Sequence, residues 1–126
     1  SEDNSKLCRK NQTRIVSRMS ASSFHVYYGL RWELTDSDLT MYERRESPQH
    51  IAAREFNLDC WWGVTNEESH YLLLGACIGH FGWEDLGHKS TNDREFENLV
   101  AETKSKLIAA KFADTPELHC QFEPDF

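Results

Sequence analysis

The sequence lacks any apolar run long enough to cross a membrane. Its longest run, Tyr71 to Ile78, is far shorter than the roughly 20 residues of a transmembrane helix. The first residues also lack the apolar segment of a secretory signal, so we expect no export sequence. With 39% apolar and 28% charged residues, the composition is typical of a soluble globular protein that has no membrane partner.

Cysteine is sparse, and its spacing matches no common metal or redox motif. The four cysteines are Cys8, Cys60, Cys77 and Cys120, and three of them fall within apolar, strand-like segments. Cysteine is readily buried as a small apolar residue, so we expect free buried thiols in a reducing compartment. The predicted location is therefore cytoplasmic, and no cofactor is expected.

Basic residues are scarce outside the first part of the chain. Residues 1–22 hold five Lys or Arg against two acids, a net charge of +3, whereas residues 23–126 hold nine against nineteen, a net charge of −10. We expect a flexible basic N-terminal arm over 1–22, or a natural start at Met19, and a single domain over 23–126. An acidic domain repels phosphate, so nucleic acid is an unlikely partner.

One stretch alternates without interruption and organises the expected fold. Between Phe24 and Leu34, apolar and polar residues alternate, which is the period of a strand with one buried face. The stretch therefore predicts the central strand of a sheet. The face that we expect in the core holds Phe24, Val26, Tyr28, Leu30, Trp32 and Leu34.

The rest of the domain predicts a regular order of helices and strands. We expect helices over about 36–45 and 48–56, strands over 58–65 and 70–79, a long helix capped by Ser90 or Asn92, and a last strand at 118–122. This βαββαβ order resembles the ferredoxin-like fold. The predicted class is α+β, a four-stranded antiparallel sheet with helices on one face and the first helical segment split in two.

The third predicted strand is apolar on both faces. Tyr71, Leu73 and Cys77 alternate with Leu72, Leu74, Ala76 and Ile78, so the sheet face without helices should carry an apolar patch that monomers seldom leave bare. A symmetric homodimer is the commonest way to cover such a face. The alternatives are the N-terminal arm, a protein partner and a flat ligand.

Candidate site residues gather at one edge of the predicted sheet. The antiparallel order brings His25 near the start of a glycine-rich loop over 79–90, which holds His80, Trp83 and His88. The polar face of the first strand adds Tyr27, Arg31 and Glu33, and Trp61 lies on the neighbouring strand. No zinc-type spacing occurs, so we expect no metal.

These candidate residues leave two hypotheses for function. The first is a non-enzymatic protein-interaction or small-ligand-binding module that self-associates through the open sheet face. The alternative is a small enzyme, or a ligand or metal site, built from His25 and the 79–90 loop. Arg31 and Glu33, two residues apart on one face, are expected to form a surface ion pair rather than a catalytic dyad.

Overall fold

The computed structural model describes residues 22–35, 39–65, 69–82 and 86–124. The predicted N-terminal arm lies outside these ranges. The chain is of the α+β class, and no helix in its described part has the length and apolar character that a membrane crossing requires. Its elements are β1 (Ser23–Leu34), α1 (Leu39–Glu43), α2 (Pro48–Phe56), β2 (Asp59–Val64), β3 (His70–Gly82), α3 (Asp93–Ala109) and β4 (Glu117–Glu123).

The two longer helices begin at side-chain caps. The Ser47 hydroxyl accepts a hydrogen bond from the backbone N–H of His50, 3.1 Å away, and Pro48 occupies the first turn, where no donor is needed. The prediction of a helix over 48–56 is confirmed. Of the two caps expected for the long helix, Asn92 is correct, since its side chain accepts from the N–H of Glu95 at 2.8 Å.

The four strands form one antiparallel sheet in the order β2-β3-β1-β4, with β1 and β3 in the centre. One face packs against the helices. Its main cluster, which we call the helix-side core, consists of Leu30, Ala52, Leu58, Leu74 and Leu107. The expected core face of β1 is buried at Leu30 and Leu34, but Phe24 remains 48% exposed, contrary to expectation.

The sheet bends sharply between its two ends. His25 pairs with His80 and Trp61 pairs with Leu73, seven residues away along β3, which corresponds to roughly 23 Å in a flat sheet. The rings of His25 and Trp61 are nevertheless only 4.0 Å apart, centroid to centroid. The two ends of the sheet therefore fold toward each other, and the face without helices is concave.

The side chains on the concave face are buried within the single chain. Their cluster, which we call the concave core, consists of Tyr27, Trp61, Tyr71, Leu73 and Cys77, each at most 3% exposed. The apolar side chains predicted for this face are therefore covered within the chain itself. A strand's alternation shows which residues share a face, but it does not show whether that face is exposed.

The predicted loop over 79–90 also needs correction at its start. β3 continues to Gly82, so residues 79–82 belong to the central strand. Phe81 then forms an isolated bridge with Leu86. The run 79–82 remains a strand because β1 provides backbone partners as far as Ser23. His80 is consequently a strand residue held in register, not a loop residue.

The cysteines differ from the expectation of free buried thiols. Cys60 forms no disulfide and is only partly buried, and Cys120 is free and exposed. Cys77 is buried, at 1% exposure, and is disulfide-bonded. Cys120 is exposed because it lies on β4, an edge strand that the helices do not cover fully.

Candidate functional site: a buried histidine cluster

A β-bulge places His80 beside His25. Val26 pairs with Gly79 and Tyr27 pairs with Cys77, so Ile78 has no partner residue on β1. The extra residue reverses the alternation of β3 beyond that point. His80 therefore shares the concave face with Cys77, although the two are separated by an odd number of residues.

His25 is enclosed by two other rings. Its side chain is 0% exposed, and its ring centroid lies 4.0 Å from that of Trp61 and 4.1 Å from that of His80. Neither ring nitrogen of His25 has a hydrogen-bond partner within the described residues. Buried polar atoms almost always have partners, so this histidine requires a specific explanation.

Glu123, the last residue of β4, reaches across the concave face to β2 and β3. Its Oε1 atom accepts hydrogen bonds from the Tyr71 hydroxyl and, at 3.4 Å, from the Trp61 indole N–H. Its Oε2 atom accepts from the backbone N–H of Val64 at 3.3 Å. Oε1 also lies 3.8 Å from Nε2 of His25. Together, His25, Trp61, Tyr71, His80 and Glu123 form what we call the histidine cluster.

Burial shifts the protonation equilibria of the cluster toward neutral side chains. Burial, and to a lesser extent the adjacent His80, lowers the pKa of His25 to about 2. Burial also lowers the pKa of His80 to about 4. The pKa of Glu123 is raised by burial, against the opposing effect of its hydrogen bonds. The contact between His25 and Glu123 is therefore not an ion pair at neutral pH, despite its 3.8 Å distance.

The structure brings four of the predicted site residues together. His25, Trp61 and His80 belong to the histidine cluster, and Tyr27 lies against Trp61 in the concave core. All four are at most 3% exposed. The antiparallel reasoning that placed His25 near His80 thus agrees with their observed register.

The other predicted site residues lie elsewhere. Arg31 Nη1 is 3.7 Å from a carboxylate oxygen of Glu33, which is the predicted ion pair. Arg31 also donates to the Gln121 side chain at 2.7 Å, and its guanidinium lies over the ring of Tyr71. His88 is exposed. Trp83 falls outside the described residues.

Sequence reasoning missed two members of the histidine cluster, Tyr71 and Glu123, as site residues. Glu123 is paired with Ser23 and would be remote from Tyr71 in a flat sheet. Only the bend brings the two together. The available signal was a glycine near the middle of each of the two longest strands, Gly29 and Gly75, because a glycine inside a strand often marks a bend or a close backbone approach.

The cluster offers hydrogen bonding and proton transfer rather than an evident metal site. Within the described ranges, no group of three His, Cys, Asp or Glu side chains is arranged to hold a metal ion. The uncharged imidazole of His25 has one donor and one acceptor nitrogen. Next to it, Glu123 supplies a carboxyl group whose raised pKa favours the protonated form.

Comparison with known proteins does not add to these observations. No protein-family model, no curated protein and no solved structure matches this chain.

Proposed function

We propose that this chain is a non-enzymatic module that binds a small molecule on its concave sheet face, at His25 and Glu123. The proposal moves the ligand site predicted at His25 and the 79–90 loop to the histidine cluster. It retains His25, His80 and Trp61 from that prediction and replaces His88 with Tyr71 and Glu123. It concerns small-ligand binding alone and does not depend on self-association.

The observation that carries the proposal concerns the hydrogen bonding of the His25 ring nitrogens. A wholly buried imidazole that finds no hydrogen-bond partner in the described part of the chain loses its interactions with water and gains none there in return. A Phe of similar shape would avoid that cost. A small molecule that bonds to the ring nitrogens would explain why a polar ring occupies this position.

The chemistry of the cluster narrows the class of ligand. Burial keeps His25 and His80 uncharged at neutral pH, so neither supplies a positive charge for an anion. The carboxyl group of Glu123 lies beside them and supplies no positive charge in either protonation state. We therefore expect a small organic molecule that has hydrogen-bonding groups and no negative charge.

A thermal-shift screen tests this proposal. The purified protein is heated with amines, sugars, nucleosides, carboxylic acids and divalent metal salts, each as a separate probe class. We expect an uncharged or cationic probe to raise the melting temperature of the wild type by several degrees, since ligands stabilise the state that binds them. The same probe should leave His25→Phe unchanged.

The control variant is His88→Phe, which alters an exposed histidine outside the cluster and should keep the response. Two results would overturn the proposal. One is a wild type that responds to no probe class. The other is a probe that stabilises His25→Phe as much as it stabilises the wild type.

A second candidate function, acid–base catalysis, is favoured by one observation. Glu123 has a raised pKa and lies 3.8 Å from an uncharged imidazole, and pairs of titratable groups with perturbed pKa values are common in active sites. Such an enzyme would convert the molecule that the screen finds. Glu123→Gln would then abolish turnover. A non-enzymatic module would instead bind the probe without altering it chemically.

The three finer predictions from the sequence differ in what supports them. The alternation of helices and strands supports the ferredoxin-like assignment, whereas two observations count against the cytoplasmic location and a homodimer formed through the third strand. The disulfide at Cys77 argues against a reducing compartment, where disulfides rarely persist. The burial of Leu72 and Leu74 argues against a dimer formed through these side chains.

A further inference from the structure

The outer edge of β4 is open for pairing. Among the strands that the structure describes, β4 pairs only with β1 and forms one edge of the sheet. An edge strand presents backbone N–H and C=O groups that can bond to another strand. Its seven residues, Glu117–Glu123, are long enough for a short additional ladder.

An apolar strip lies along this edge on the helix side of the sheet. Phe24 pairs with Phe122, and their ring centroids are 5.3 Å apart. Leu118 pairs with Tyr28, whose ring contacts Phe96 of α3, which places the strip on the helix side. Leu118 is 54% exposed and Phe24 is 48% exposed. The strip, which we call the β4 strip, consists of Phe24, Leu118, Cys120 and Phe122.

The pattern of β4 is the same when read from either end. Around Cys120, the sequence Glu-Leu-His-Cys-Gln-Phe-Glu has apolar neighbours at Leu118 and Phe122 and acids at both ends. In a two-fold antiparallel pair centred on Cys120, Leu118 of one copy would face Phe122 of the other. Apolar residues would thus meet apolar residues in the middle of the ladder, while Glu117 would face Glu123 at its two ends.

We infer that a second copy of this chain pairs with β4 about a two-fold axis at Cys120, joining the two sheets into one and covering the β4 strip. The occupant is a second copy because the apolar residues of β4 would face one another in the two-fold pair. This interface differs from the predicted one, since the β4 strip is exposed whereas Leu72 and Leu74 are buried. The inference does not depend on the proposed ligand.

The geometry of Cys120 provides a covalent test. Directly opposed residues in an antiparallel pair have Cα atoms about 4.5–5.5 Å apart, within the range of about 4.4–6.8 Å that a disulfide spans. Cys120 is free and exposed. With oxidised glutathione, two Cys120 thiols would lose two protons and two electrons and form one disulfide, while the reagent is reduced to two thiols.

We expect the wild type and Cys60→Ser to give the covalent dimer and Cys120→Ser to give none. Cys60 is the matched control, because it also forms no disulfide but lies on β2 at the opposite edge. A dimer that persists in Cys120→Ser, or a wild type that remains monomeric under oxidation, would overturn the inference.

Sedimentation equilibrium in a Cys120→Ser background tests the non-covalent dimer without added reductant, because a reductant would also cleave the disulfide at Cys77. Leu118→Lys should weaken association at least tenfold, whereas Ile108→Lys, at a residue on α3 that is 72% exposed, should not change it. Because each chain has a net charge of −7, added salt should strengthen association by screening repulsion. Monomers at every concentration, or equal association of both variants, would contradict the two-fold pairing.

Discussion

Gly29 and Gly75 face each other in the two central strands, at the position where the sheet bends. A Cβ atom on either would lie 2.8 Å from the Cα atom of the other glycine and would overlap a backbone carbonyl of the opposite strand. The strands can approach this closely only because both residues lack a side chain. The closeness of His25 to Trp61, and of Glu123 to Tyr71, depends on this bend.

Gly75→Ala should therefore destabilise the fold by at least about 2 kcal/mol, because backbone atoms cannot move aside as a flexible side chain can. Chemical denaturation at neutral pH measures the loss. Gly87→Ala is the matched control, since a Cβ atom there would meet nothing within 4 Å, and it should change stability by less than about 0.5 kcal/mol. Equal stability of the two variants would refute the role assigned to the glycine pair.

Acid should destabilise the protein between pH 6.5 and 4.5. Burial lowers the pKa of His25 to about 2, and the pKa values of His50 and His80 to about 4, with nearby arginines contributing at His50. Below pH 6.5 the unfolded chain binds protons at these residues that the folded chain does not bind, so stability falls as pH falls. Each histidine contributes up to about 1.4 kcal/mol per pH unit.

Glu123 acts in the opposite direction within this range. Its pKa is raised in the folded state. The contribution of Glu123 to folding stability therefore decreases as pH rises above 4.5. Because one carboxyl group acts against three histidines, the stability of the folded chain should still fall as pH falls. Denaturation midpoints across this range should show a smaller slope for His25→Phe and an unchanged slope for the exposed control His88→Phe. A His25→Phe slope equal to that of the wild type would show that His25 is not buried in its neutral form.

The hydroxyl group of Tyr71 should stabilise the cluster by connecting two of its members. It donates to Glu123 and accepts from the Trp61 indole N–H at 3.1 Å. Tyr71→Phe removes both bonds and leaves the buried Glu123 with one donor fewer, so we expect a loss of about 1–3 kcal/mol in unfolding free energy. Tyr28→Phe, a buried tyrosine on the helix side, is the comparison and should lose less than about 0.5 kcal/mol.

Sequence patterns were sufficient for the elements of the fold but not for its curvature. The alternation between Phe24 and Leu34 identified a central strand and showed that its odd-numbered residues share a face. The burial of that face depends on the contact between Gly29 and Gly75, which becomes evident only when the register is known. Periodicity describes neighbours along one strand, whereas the bend is a relationship between two strands.

The same limit explains which site residues could be predicted. His25 and His80 could be associated because antiparallel pairing places them opposite each other, although β3 needs its bulge to turn His80 to the same face. Glu123 could not be found in this way, because it contacts residues of strands to which it is not paired. Long-range side-chain contacts across a curved sheet leave no periodic signal in the sequence.

Truncation of Leu74 tests whether this residue lies in the core or on an open face that pairs with a second copy. It is 0% exposed and packs in the helix-side core with Ala52 and Leu107. Leu74→Ala should therefore lower the unfolding free energy by about 2–5 kcal/mol, through lost burial and the cavity left behind. Ile108→Ala, at an exposed aliphatic residue of α3, should change it by less than about 0.5 kcal/mol. If Leu74 instead lay on a surface that pairs with a second copy, its truncation would weaken association and leave the unfolding of the isolated chain unchanged.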